Sequence, residues 1–147
     1  MRKNPEEAIA LISKHNEAAL ATLDADGFPF NSVVSYLYEP NENLGEVSFL
    51  ISGLARHTKN LSKQSQASLL ILEPGSAYLY ERKRVSVKGQ ATKVEAGNRV
   101  YALKAEYLKR FPKAEILFGL ADFSFYSMKV EELYYVGGFG SIQTFKP

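Results

Sequence analysis

The run LISGLARHTKNL, residues 50–61, gathers hydroxyls at Ser52 and Thr58, a guanidinium at Arg56, an imidazole at His57, an ammonium at Lys59 and an amide at Asn60. That is a donor set for a phosphate. A helix beginning after Ser52 and Gly53 would add unpaired backbone N–H groups and partial positive charge at its start, and a phosphate dianion satisfies both. Hydroxyls supply neutral donors, while arginine or lysine supplies full charge. The same residues also suit a plain strand–helix corner with a solvated basic face. Ser52 and His57 are far enough apart to fall on different sides of it, and His57 reads as a phosphate donor with a packed histidine as the alternative.

The elements that must position this run follow from pattern. Asn4, Pro5, Glu6 and Glu7 mark a helix start by cap, first-turn proline and acids at the positive dipole end, with Ala8, Ile9, Leu11 and Ile12 as the apolar stripe. His15 would cap its far end. Strands are expected at 18–23 and 30–38 around the turn 24–27, forming a hairpin, and a third at 46–51. A short helix spans 54–63, and the strand 67–72, ASLLIL, alternates so little that cover on both faces is expected. The long strand 84–94 carries Gly89 where a barrel strand would bend. A helix at 98–111 stops at Pro112, and a helical turn follows at 114–120. The strand 123–136 has a possible break at Glu131 and Glu132, the glycines of 137–140 make a corner, and 141–145 closes the sheet. About six strands with three inserted helices give an α+β fold, a small and partly open antiparallel barrel.

Composition agrees. A chain of 147 residues, 46% apolar and 23% charged, fits one domain over 1–147 with a real core. A net charge of +2 does not ask for a nucleic-acid surface, and the clusters Lys59 with Lys63 and Arg82, Lys83 with Arg84 suit one phosphate rather than a polymer. With no cysteine, disulfides and thiolate chemistry are excluded. The N-terminal apolar stretch is interrupted by Ser13 and Lys14, no run reaches the roughly 20 residues of a membrane helix, and a soluble cytoplasmic protein is expected.

Several motifs in order resemble the pyridoxamine 5′-phosphate oxidase-like flavoproteins. LISGLARHTKNL followed by ASLLIL is similar to the haem-utilisation branch, whose segment reads roughly I-S-x-L-A-x-H-T-x-N-L. Leu20 to Leu23, the following turn, Pro29 and Ser32 resemble the opening hairpin; RVSVKG, ADFSFYSM and VGGFG match downstream. The resemblance covers about 18–145 and implies a six-stranded antiparallel split β-barrel with flanking helices, binding FMN at the interface of a homodimer. It places the FMN phosphate at Ser52, His57, Thr58, Lys59 and Asn60, with Ile51 beside it, and the isoalloxazine edge along Asn31, Ser32, Val33 and Val34. The Arg-Lys pair of related oxidases falls on Arg56 and His57, so the departure makes Lys59 a firmer ligand than Arg56. Tyr126 and Phe139 are candidates for reaching a partner's flavin, or ordinary core aromatics.

No acid–base pair stands out, and flavin chemistry needs none from the protein. Asp122, entering a strand, reads as a cap. Three functions are compatible with these residues: a flavin-dependent small-molecule oxidoreductase, a haem-binding or haem-degrading protein, and a non-catalytic flavin-binding dimer. Haem-active members of the branch usually carry a C-terminal domain or a tail histidine; no histidine follows His57, which places haem second. The oxidase's arginine-rich ending has no counterpart in GSIQTFKP, so pyridoxamine 5′-phosphate oxidase activity itself is not expected.

Overall fold

Strand 3 ends where the donor run begins, and the rest of the fold holds that junction in place. The computed structural model describes residues 4–147. In chain order the elements are α1 (Glu6–Lys14), β1 (Glu17–Leu23), β2 (Pro29–Glu39), β3 (Glu46–Ser52), α2 (Arg56–Lys63), β4 (Gln66–Leu72), β5 (Arg84–Lys93), α3 (Asn98–Arg110), α4 (Glu115–Phe118), β6 (Phe123–Val136) and β7 (Ile142–Phe145). Single 3-10 turns lie at Leu79–Glu81 and Pro112–Ala114.

All strand pairs are antiparallel, in the order β3-β2-β1-β4-β5-β6-β7, and a β3–β6 pairing closes six of them into a ring. The expected split barrel is thus present, as a closed ring. Its seam is the short β2–β3 ladder, which joins only Tyr36↔Phe49 through Glu39↔Glu46. Inward side chains alternate along each strand: Leu20, Val34, Tyr36, Val47, Phe49, Ile51, Leu69, Ile71, Val85 and Val87 fill the interior. In β6 the inward set changes parity, from Met128 and Val130 to Leu133 and Tyr135. The ladder with β5 slips at this point, between Lys88 and Gly89, so Glu131 is the extra residue of a bulge and the strand is not interrupted. A Cβ on Gly89 would collide with the Lys129 carbonyl and lie 2.8 Å from Met128 Cγ, which is why glycine stands there.

Helix α1 seals one end of the barrel with Ala8, Leu11 and Ile12, and the Tyr36 hydroxyl inside donates to the Ile12 carbonyl at 2.6 Å. A second apolar layer forms outside the ring, where Leu103 and Tyr107 of α3 and Ala114 meet Leu37, Leu50 and Phe125. Strand β4 differs from expectation. Ala67, Leu69 and Ile71 are buried, but Leu70 is exposed, so only one face is covered.

Candidate cofactor site

The Ser52 hydroxyl is engaged within the chain. It donates to Asp122 Oδ2 at 2.6 Å and accepts from the Leu54 N–H at 3.1 Å, while the Gly53 N–H donates to the Asp122 carbonyl at 2.6 Å. Asp122 is therefore the expected capping acid, clamping the end of β3 to the start of β6. Two residues of turn follow, and α2 begins at Arg56, later than the sequence suggests, because Ala55 is extended. No side chain caps this helix start, and the first helical bond runs from the Lys59 N–H to the Ala55 carbonyl. The N–H groups at the N-terminus of α2 remain available, as an anion site requires.

The centre of the arrangement is a residue that sequence reasoning took for a turn. Asp24 is buried at the end of β1 and accepts from Arg56 Nε at 3.0 Å, from Arg56 Nη2 in a very short contact, and from Asn60 Nδ2 at 2.9 Å. Asn60 also donates to Thr22 Oγ1 at 3.0 Å. These bonds fasten two helical positions one turn apart to β1. The Arg56 guanidinium lies 4.6 Å from the centre of the Phe30 ring. The guanidinium and amide that bond to Asp24 hold its carboxyl below the usual carboxylate range, so it is charged at neutral pH. Arg56 and Asn60 are thus committed within the chain. An aspartate in an AD-type turn with an arginine far downstream gives no local signal of pairing; only the barrel closure brings them together.

Other members of the run, and Ser32 of β2, are uncommitted. Thr58 Oγ1, His57 Nε2 and Ser32 Oγ are buried without a hydrogen-bond partner among the described residues, and Lys59 is exposed and makes no ion pair there. Burial lowers the pKa of His57, which keeps its ring neutral at pH 7. An unpaired buried hydroxyl is costly, and a phosphate ester at the α2 N-terminus would relieve such groups. The residues present fit that ligand, with Thr58, His57 and Lys59 as the free donors.

The expected flavin-edge residues divide by face. Ser32 and Val34 point into the barrel, whereas Asn31 and Val33 face outward, Val33 at 74% exposure. Residues 29–35 pair with β1 on one side and with no strand on the other among the described residues, because the β2–β3 ladder starts only at Tyr36. That leaves an open backbone edge at the split. Ile51 is in the barrel core, and so is Tyr126, while Phe139 is exposed. For haem iron the donors differ. The chain has two histidines, and the Nε2 atoms of both His15 and His57 are buried.

A closed split barrel with a short helix fastened against its first strands defines a class of fold, and comparison with known proteins places the chain within it. The family model described as CREG, beta-barrel matches residues 1–146. The chain is 32% identical over 127 residues to the haem oxygenase HutZ of Vibrio cholerae, covering 82% of this chain and 69% of that protein. It superposes on a haem-binding protein from Mycobacterium smegmatis with a TM-score of 0.86 and 29% identity, covering 99% of this chain. It spans 59% of the length of that mycobacterial protein. A Clostridium acetobutylicum protein of the pyridoxinephosphate oxidase family, related to general stress protein 26, shares the fold at 14% identity with a TM-score of 0.71, covering 96% of this chain and 92% of that one. The chain belongs to the CREG β-barrel family, is a relative of HutZ, and shares its fold with proteins of the pyridoxinephosphate oxidase family. Among the described residues no helix is long and apolar enough to cross a membrane.

Proposed function

We propose that this protein binds haem and serves haem utilisation, in place of the flavin oxidoreductase ranked first from sequence. The observation that carries this reading is the 32% identity with HutZ over 127 residues, supported by the likeness to the mycobacterial haem-binding protein. Haem supplies the redox chemistry when bound; the protein supplies the surface that holds it and controls water access. The direct test is titration of the purified chain with ferric haem. A shifted, saturable Soret band at one haem per chain is expected, whereas spectra that remain those of free haem would refute the reading.

FMN at the α2 N-terminus is a second reading, favoured by Thr58 Oγ1 and Lys59, which have no hydrogen-bond partner and no ion pair, respectively, among the described residues. If it holds, replacing both with alanine weakens FMN binding by at least about tenfold, since each charge-assisted bond contributes roughly 1.5–3 kcal/mol. Unchanged affinity would remove FMN from this site. We further infer a homodimer, formed through the outer face of the sheet. Val33, Leu70 and Tyr134 are exposed there, and the register runs from Val33 to Ala19, Leu70, Ser86 and Tyr134 in one row. Small side chains at Ala19 and Ser86 leave this row flat enough to meet a second copy.

A further inference from the structure

The two apolar layers of this fold are filled differently. Inside the ring almost all apolar side chains are buried, whereas the outer layer around Leu103 and Tyr107 keeps Val94, Val100, Phe118 and Phe123 only half-buried. These four, with Leu50 and Phe125, line a pocket of about 210 Å³ between the outer face of β3 and β6, the helix α4, and the chain that runs from β5 into α3. Well-packed interiors leave few voids larger than a water molecule. An apolar cavity of about 150 Å³ is already large enough to take up benzene. This pocket therefore has room for one substituted ring and walls that suit it.

The charge around it has one sign. Lys93, at the end of β5, is the only charged residue among those lining the pocket, and Lys104 of α3 brings its Nζ to 5.1 Å from the centre of the Phe118 ring. Both lysines are exposed, and neither makes an ion pair among the described residues. An ammonium at the rim of an apolar pocket complements an anion joined to an apolar body, with the body supplying contact area and the charge fixing orientation. The lining favours an aromatic body. Phe118 and Phe125 already meet with ring centres 5.8 Å apart, and a third ring gains from the same kind of contact.

We propose that this pocket is a second ligand site, for a small aromatic carboxylate whose ring enters among Phe118, Phe123 and Phe125 and whose carboxylate meets Lys93. The ligand is held without any covalent step. The site is separate from the donor run at α2, since Thr58, His57 and Lys59 do not line it. It stands whichever cofactor that run or the dimer face receives.

The test is titration of the full chain with 3-phenylpropionate and with 3-phenylpropan-1-ol, which keeps the ring and lacks the charge, followed by calorimetry and by backbone amide chemical shifts. The acid should bind saturably at one per chain, with the largest shifts at residues 93–100 and 123–125. The alcohol should bind at least about threefold more weakly, the scale expected of an ion pair with an exposed ammonium. Lys93→Gln should weaken the acid to the same degree and leave the alcohol unchanged. Lys14→Gln, at an exposed lysine of α1, should alter neither. Ala96→Phe, which places a ring at the pocket rim from an exposed position, should abolish binding of both. Circular dichroism verifies that this variant is folded, and if it is not, the Lys93→Gln comparison decides. Equal affinity for acid and alcohol, or an acid affinity that Lys93→Gln leaves intact, would overturn the carboxylate assignment. Shifts centred on residues 56–60 would put the acid at the donor run instead, and titrations that never saturate would remove the site.

Discussion

At the scale of residues, Asp24 decides what the donor run has to offer. By holding Arg56 and Asn60 it removes two of the six polar side chains in the run, and Asp122 removes Ser52. What remains for a ligand is Thr58, His57 and Lys59. The composition of the run was legible in sequence, but its division was not, since Asp24 and Arg56 stand 32 positions apart and Ser52 and Asp122 stand 70 apart. His57 carries a testable consequence of its burial. Its lowered pKa means that the unfolded chain takes up a proton near the ordinary value of about 6.5 while the folded chain still resists one. The stability that the neutral ring permits is therefore complete above about pH 6.5 and declines as pH falls from there toward the folded value. Urea unfolding across this range should give a flatter stability profile for His57→Gln than for the unaltered chain. Parallel profiles would mean that His57 is as free to ionise as a solvated histidine.

At the scale of elements, the order of strands and helices was readable because each carries its own period and its own punctuation. The Asn4 and Pro5 start of α1, the hairpin turn before Pro29, and Pro112 after α3 are local signals, and all mark element ends. What the sequence could not convey is pairing between distant strands. The β3–β6 ladder closes the ring over a separation of about 80 residues, as in Ser48 opposite Ser127. The apparent break at Glu131 and Glu132 likewise makes sense only with β5 alongside, where it is a bulge facing Gly89. Gly89→Ala tests that account. The added methyl meets backbone, which cannot rotate away, so a loss of roughly 1–3 kcal/mol from overpacking is expected in equilibrium unfolding. A change near zero would mean that the bulge accommodates the methyl and that glycine has no steric role there.

At the scale of the whole molecule, the uncovered face of β4 matters most. The sequence reading expected ASLLIL to be covered on both sides, and within one chain it is not: Leu70 faces out beside Val33 and Tyr134. A second copy on that face would supply the missing cover. Light scattering should then give twice the chain mass, and Val33→Glu, which sets like charges opposite each other across a twofold interface, should shift it toward the single-chain mass. A monomer for the unaltered protein would leave the row without a partner. The haem reading extends further, since it concerns what the purified protein carries. Its most direct measurement is mass spectrometry of the small molecules released on denaturing protein produced in haem-supplied cells. The account predicts haem in near-stoichiometric amount; release of FMN with no haem would contradict it.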